Sequence, residues 1–289
     1  MTKKVSTKGW FTDLYSDTCG LGLRYKKILF HKKSKYQDIK ILDSYDYEKI
    51  LLLDNFIYRS SWFGQVIPEM IVHTPMLTGT LKKKVLLVGG GDGWSLAELV
   101  KYPSIKQIDL VEIDKYVVEA CKRYFSEVKS AFSDKRVNIF IEDGNKFIDK
   151  INDIYDLILV TPSSPFDASG SKSAAYPICQ KDYFAKCKKK LSKKGIFLTD
   201  GTNIYYSLKD IAYQEFTYKK VLKDLSSLYN HANLFCATSP LIPGGLFTLV
   251  IASNTYNPRE DVISKPRSIK TIYYNSKYHR ASFVLPSVI

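Results

Sequence analysis

At 289 residues, the chain is long enough to bury a full hydrophobic core, and it predicts one large or two unequal domains. No apolar run approaches the roughly 18 residues needed to span a membrane, and the basic first ten residues lack a secretory signal. Five scattered cysteines without a CxxC pair indicate neither disulfides nor a metal site, so we expect a cytoplasmic protein. The formal net charge of +14 favours anionic partners or a lysine-rich surface.

Residues 1–80 are predicted to form a small antiparallel β domain of hairpins. Short β-rich runs lie at 25–30, 37–43, 49–53 and 56–60, and polar or turn segments separate them. Residues 66–74 then predict a helix with Pro68 in its first turn, ending before Pro75. Residues 81–289 are assigned to a second, larger domain.

From Val85 onward, strands and helices alternate. Strands are predicted at 85–88, 107–112, 137–141, 155–160 and 195–199, and helices at 94–101, 115–125, 145–151, 180–191 and within 207–227. Two last strands, at 232–238 and 247–252, are predicted to form a terminal hairpin pair. This alternation predicts an α/β fold with a mostly parallel sheet and helices on both faces.

Three acids lie at the predicted ends of strands. The run from Val85 to Gly93 passes from apolar residues into glycines and Asp92, and Glu112 ends the next strand about 20 residues later. Asp143-Gly144 follows the third strand. Each acid alone is also a plausible helix N-cap. Because ligands bind beyond the carboxyl ends of such strands, the three acids together predict a positively charged adenosine ligand such as S-adenosylmethionine.

These segments resemble the spermidine synthase, or polyamine aminopropyltransferase, family over nearly the whole chain. The matching pieces are Trp10-Phe11-Thr12, Ser34 to Asp38, Leu51 to Asp54, Glu69 to His73, Gly89 to Gly93, Val111 to Asp114, Asp143-Gly144 and Tyr273-Tyr274-Asn275. The resemblance implies a Rossmann-like methyltransferase fold beneath the N-terminal β domain, and a dimer or tetramer, of which we expect the homodimer. It also implies that S-adenosylmethionine or its decarboxylated form is bound by Gln37, Gly89, Gly91, Asp92, Glu112, Asp143 and Gly144.

The chain departs from the family pattern where the acceptor binds. Typical members read Asp-Ser-Ser-Asp-Pro where this chain reads Thr161-Pro162-Ser163-Ser164-Pro165, and Ile67, Ile242 and Trp94 also replace family residues. An amine acceptor needs a base, and its cationic tail needs carboxylates, whereas an anionic phosphate needs neither. The departures therefore predict a non-diamine, phosphate-bearing acceptor, with Asp92, Thr161 and Ser164 as catalytic residues.

The function favoured by these residues is transfer of a 3-amino-3-carboxypropyl or aminopropyl group to such an acceptor, with release of methylthioadenosine. A peptide-nucleotide is one candidate acceptor, because the sequence also resembles the family relative that acts in microcin C maturation. Polymeric nucleic acid and membranes are not expected partners. Three alternatives stay open: a polyamine aminopropyltransferase with altered acceptor contacts, a methyltransferase in which Trp94 repositions the sulfonium, and a catalytically silent homologue.

Overall fold

The computed structural model describes residues 9–16, 19–166, 171–203 and 217–287, and the strands in these ranges form two sheets. The N-terminal sheet is antiparallel, and its strands follow in chain order. They are β1 (Trp10–Ser16), β2 (Cys19–Lys33), β3 (Asp38–Ser44), β4 (Lys49–Leu53) and β5 (Phe56–Ser60). The predicted hairpins are confirmed, but β1 was not predicted and β2 is longer than the run at 25–30. Most of β2 is exposed or half-buried, so an apolar pattern marks only part of it.

Helix α1 (Val66–Met76) follows the N-terminal sheet and is buried along its whole length. It runs through Pro75, so the prediction that it ends before this residue was wrong. A proline near the last turn removes one backbone donor, and the Leu77 N–H still donates to the His73 carbonyl at 3.0 Å. The helix packs against α2 (Trp94–Leu99) of the following region. The domain division between residues 80 and 81 stays a prediction.

The central sheet has the strand order β11-β12-β10-β9-β6-β7-β8. Its strands are β6 (Lys84–Gly89), β7 (Gln107–Glu112), β8 (Val137–Ile141), β9 (Tyr155–Thr161), β10 (Leu191–Asn203), β11 (His231–Thr238) and β12 (Leu246–Ser253). Strands β6 to β10 are parallel to one another, and β12 is antiparallel to both β10 and β11. The predicted alternation and terminal strand pair are confirmed.

Helices cover both faces of the central sheet. Alternate residues of β6 belong to two different buried clusters: Val85 and Leu87 pack with α1 and α2, whereas Leu86 and Val88 pack on the other side. The remaining helices are α3 (Lys115–Tyr124), α4 (Ser126–Lys129), α5 (Gly144–Lys150), α6 (Lys181–Lys189), α7 (Tyr218–Ser226) and α8 (Ser276–Ala281). The helix predicted within 207–227 falls partly outside the described residues, and α7 is its described part. In the described ranges, no helix is long and apolar enough to cross a membrane.

Candidate active site

A cleft opens at the carboxyl edge of the central sheet, where residues of the N-terminal sheet also line it. Its free space, counted out to bulk solvent, is about 720 Å³, a size that suits a nucleoside-sized ligand. The cleft brings together all the residues predicted to hold the donor, namely Gln37, Gly89, Gly91, Asp92, Glu112, Asp143 and Gly144. Their roles in binding stay predictions.

The turn after β6 requires glycine for two physical reasons. Gly89, Gly90 and Gly93 have φ values of +77°, +84° and +87°, a region that residues with a side chain rarely adopt. At Gly91, an added Cβ would lie 2.5 Å from the Cγ of Glu112. The absence of side chains therefore lets the turn pass directly against Glu112.

Two backbone hydrogen bonds fix the orientation of the Glu112 carboxylate. Its Oε2 accepts from the Gly91 N–H and its Oε1 from the Asp114 N–H, both at 3.0 Å. Burial raises the pKa of Glu112 to about 7, although these two hydrogen bonds act to lower it. The charge of this side chain therefore responds to pH near neutrality, while its geometry is fixed.

Asp92 is held between the turn and a buried arginine. Its Oδ1 accepts from the Trp94 N–H at 2.8 Å, and its Oδ2 lies 3.5 Å from the Nε of Arg59 on β5. Arg59 also donates from Nη1 to the Tyr58 carbonyl at 2.9 Å. Burial acts to lower the pKa of Arg59, but the nearby Asp92 carboxylate raises it, and the net shift is upward. Sequence reasoning missed Arg59, because it interpreted this segment only as a strand.

Asp143 and Gln37 are positioned by different local contacts. The Oδ1 of Asp143 accepts from the Asn145 N–H at 2.9 Å and caps α5, so the N-cap interpretation applies to this acid even though it lines the cleft. The Nε2 of Gln37 donates to Asp114 at 3.2 Å, and the Ser34 hydroxyl donates to the same carboxylate oxygen at 2.6 Å. These bonds join the N-terminal sheet to the turn after β7.

Neither Thr161 nor Ser164 is among the residues that line the cleft, although Ser163 is. The Thr161 carbonyl accepts from the Tyr58 hydroxyl at 3.5 Å, and the Thr161 hydroxyl oxygen is buried without a hydrogen-bond partner in the described ranges. The Ser164 hydroxyl accepts from the Phe166 N–H at 3.2 Å. The catalytic assignment of both residues stays a prediction, and this placement does not favour it.

Trp94 also lies away from the cleft. Its side chain is buried and packs edge-on against Phe125, with ring centroids 4.8 Å apart. It is not among the lining residues. This placement does not favour the methyltransferase alternative in which Trp94 repositions the sulfonium, and that alternative stays a prediction.

The cleft is acidic although the whole chain is basic. Among the described residues that line it, none is lysine or arginine, and four carry carboxylates: Asp54, Asp92, Glu112 and Asp143. The charge of +14 therefore does not describe this site, which suits a cationic ligand better than a phosphate. The described residues contain no group of three or more His, Cys, Asp or Glu side chains placed to hold a metal ion.

Two family models match the chain. The model of the spermine/spermidine synthase domain matches residues 65–261, and the model of the spermidine synthase tetramerisation domain matches residues 9–60. Together they account for most of the sequence, including the turn after β6 and the strands of the N-terminal sheet.

Similar proteins match over nearly their full length. The polyamine aminopropyltransferase of Clostridium botulinum (strain Alaska E43 / Type E3) is 33% identical over 287 residues, covering 97% of this chain and 96% of the relative. The enzyme of the same name from Thermoanaerobacter sp. (strain X514) is 34% identical over 283 residues, with coverages of 97% and 96%.

Solved structures of spermidine synthases share the fold. One, in complex with the transition-state analogue AdoDATO, superimposes with a TM-score of 0.87 at 26% identity, covering 96% of this chain and 92% of that one. The spermidine synthase from Thermotoga maritima has a TM-score of 0.84 at 26% identity, with coverages of 96% and 91%.

Proposed function

Because the chain belongs to the spermine/spermidine synthase family, we propose that it transfers an aminopropyl group from decarboxylated S-adenosylmethionine to the amine of a polyamine. The acidic lining of the cleft carries this proposal. A decarboxylated donor has a sulfonium and an ammonium, and the acceptor is also cationic, so both gain from nearby carboxylates. The phosphate-bearing acceptor predicted from the sequence lacks this support, and the relatives are named for polyamines.

The transfer needs little from the protein beyond orientation. The acceptor nitrogen attacks the propyl carbon in line with the C–S bond, and the bond's electron pair moves to sulfur to give neutral methylthioadenosine. In this proposal Glu112 accepts from the ribose hydroxyls, Asp143 lies near the adenine, and Asp92 faces the donor's ammonium. The glycines of the turn allow the donor to lie against the backbone.

A second candidate donor follows from Arg59. Its guanidinium lies beside Asp92, with 12% of the side chain exposed, and its Nε makes an ion pair with Asp92 but no hydrogen bond to any described residue. Arg59 does not itself line the cleft, but a guanidinium beside Asp92 would disfavour a second donor cation there and would attract a carboxylate. This residue favours intact S-adenosylmethionine as donor, with transfer of a 3-amino-3-carboxypropyl group to the same class of amine.

Product analysis tests the transfer and the donor together. The protein is incubated with each donor in turn and with a panel of diamines and polyamines, with adenosine monophosphate as a phosphate-bearing control. We expect methylthioadenosine with at least one amine and none with the phosphate. Methylthioadenosine formed only with intact S-adenosylmethionine would select the second donor. Lack of the product with every amine would refute the proposed function, and S-adenosylhomocysteine would identify a methyltransferase instead.

Donor binding is expected to weaken as the pH falls through about 7, because burial raises the pKa of Glu112 to that value. A protonated carboxyl loses its attraction for the sulfonium, so affinity should fall by up to about tenfold per pH unit below the pKa. Titration calorimetry at several pH values measures this dependence. Glu112→Gln should bind the donor weakly, and its affinity should not depend on pH in this range. A wild-type affinity that does not change with pH would contradict the prediction.

Self-association is also part of the proposal. The match of residues 9–60 to a tetramerisation domain supports an assembly of copies through the N-terminal sheet. Leu14 on β1 and Ile28 on β2 expose 63% and 50% of their surface, which fits a sheet that contacts another copy. The homodimer and the cytoplasmic location predicted from the sequence stay proposals.

A further inference from the structure

Asp200, a carboxylate that was not predicted from the sequence, lies beside Thr161 on the neighbouring strand; like Thr161, it is not among the residues that line the donor cleft. Asp200 directly follows Thr199, which pairs with Val160 in the parallel register of β9 and β10. Asp200 is therefore the neighbour of Thr161, and Thr161 in turn pairs with Gly89 at the start of the donor turn. Adjacent strands are about 4.8 Å apart. The three residues thus form a short row across the carboxyl edge of the sheet.

The surroundings of Asp200 leave one of its oxygens without a partner. The residue is partly exposed, but its Oδ1 is buried and has no hydrogen-bond partner within the part of the chain that the structure describes. Four titratable groups interact with its charge: Arg59 and Asp92 shift the pKa of Asp200, and Asp200 in turn acts to raise the pKa of Tyr58 and Cys179. Burial raises the pKa of Asp200 to about 7, while Arg59 acts to lower it and Asp92 to raise it. This carboxyl can therefore both lose and accept a proton near neutral pH.

Other polar groups near this edge are less able to accept a proton. Thr161 and Ser164 carry hydroxyls, which are poor bases near neutral pH. Asp143 is committed to the cap of α5, and Asp92 accepts from the Trp94 N–H and pairs with Arg59. Among the described residues at this edge, Asp200 combines a carboxylate with an unpartnered oxygen.

We propose that Asp200 is the general base for the acceptor amine and takes the place of the aspartates that are absent at positions 161 and 164. The proposal rests on the proposed function. The acceptor ammonium gives one proton to Asp200, and the freed lone pair forms the new N–C bond as the C–S bond breaks toward sulfur. The products are a secondary ammonium and methylthioadenosine, and Asp200 passes its proton to solvent. The positive charge of Arg59 favours the ionised form of this carboxylate before the amine arrives.

Asp200→Asn tests this role, because the amide has the same shape and cannot accept the proton. With the best amine found for the wild type, kcat/KM should fall at least about 100-fold, while the donor dissociation constant should change less than about threefold. At saturating donor, wild-type kcat/KM for the amine should decline below a pH of about 7, and the variant should lack this decline. Asp153→Asn, at an exposed position before β9, is the matched control and should behave as wild type.

The outcomes separate the two proposals. A wild type that transfers to no amine would refute the proposed function and this inference together. An active wild type beside an Asp200→Asn variant with an unchanged rate and pH profile would refute only the inference. Asp200→Glu retains a carboxylate and should recover part of the lost rate together with the acidic decline. If thermal melting shows that Asp200→Asn is unfolded, Asp200→Glu becomes the test. An Asp200→Glu enzyme whose rate does not decline at acidic pH would also overturn the role of Asp200 as general base.

Discussion

Replacing Asp92 by alanine is expected to abolish transfer and to weaken donor binding by about 10- to 100-fold. The estimate follows from the loss of hydrogen bonds to a charged group, which contribute roughly 1.5–3 kcal/mol. The same change removes the partner of Arg59 and the acceptor for the Trp94 N–H. Breaking a buried ion pair typically costs about 3–5 kcal/mol, so the folded state should also lose stability. Methylthioadenosine release, calorimetry with the donor and thermal melting measure the three effects.

Asp92→Asn separates the charge of this side chain from its structural role. Its amide oxygen can still accept from the Trp94 N–H, so melting should lie closer to wild type than for the alanine variant. The carboxylate that faces the donor is lost in both, and both should therefore lose transfer. An Asp92→Ala enzyme that forms methylthioadenosine at the wild-type rate would remove this residue from the site.

The acids at the strand ends could be predicted from the sequence. They follow apolar strand patterns, and ligands bind beyond the carboxyl ends of parallel strands. Glu112 and Asp143 follow apolar strands, and both line the cleft as predicted. Asp200 directly follows the strand predicted at 195–199, although it lies inside the longer observed β10, and the sequence prediction did not include it. The information for this residue was present in the sequence.

Contacts between the two sheets could not be predicted in this way. Arg59 on β5 lies beside Asp92 in the turn after β6, and nothing in the sequence pattern of β5 shows which residues of the other sheet its side chains contact. Trp94 directly follows the glycine turn in sequence, but its side chain is buried against Phe125 and does not line the cleft. Local sequence pattern defines the elements, whereas packing decides which of their side chains reach the ligand.

The acceptor side illustrates how a site can lose family residues without losing the chemistry that those residues supply. The hydroxyls of Thr161 and Ser164 were interpreted as evidence for an anionic acceptor, since no carboxylate remained in that segment. The structure places Asp200 on the adjacent strand and surrounds the donor cleft with acids. A carboxylate supplied from β10 would satisfy the same requirement for a base, which is why the altered segment alone does not identify the acceptor.

Glu69→Ala should strongly destabilise the protein, although this residue lies outside the cleft. Its carboxylate is buried in α1 and accepts from the N–H groups of Ile272, Tyr273 and Tyr274, at 2.8, 2.9 and 2.7 Å. Alanine would leave three backbone donors without this acceptor, at a cost of roughly 1–3 kcal/mol for each group that stays buried. We expect a total loss of about 3–5 kcal/mol, and hence a melting temperature lower by roughly 10 °C.

The effect should be confined at first to the C-terminal segment, because Glu69 is its main polar anchor to α1. The neighbouring Tyr274 is buried and its hydroxyl bonds to His279 Nδ1 at 2.7 Å, so release of the backbone exposes an aromatic cluster as well. Limited proteolysis should therefore cleave this segment in the variant before the rest of the chain. Glu119→Ala, on the exposed face of α3, is the control and should melt as wild type. If Glu69→Ala melted with that control, the three hydrogen bonds would contribute little net stability, and the aromatic packing alone would hold the segment in place.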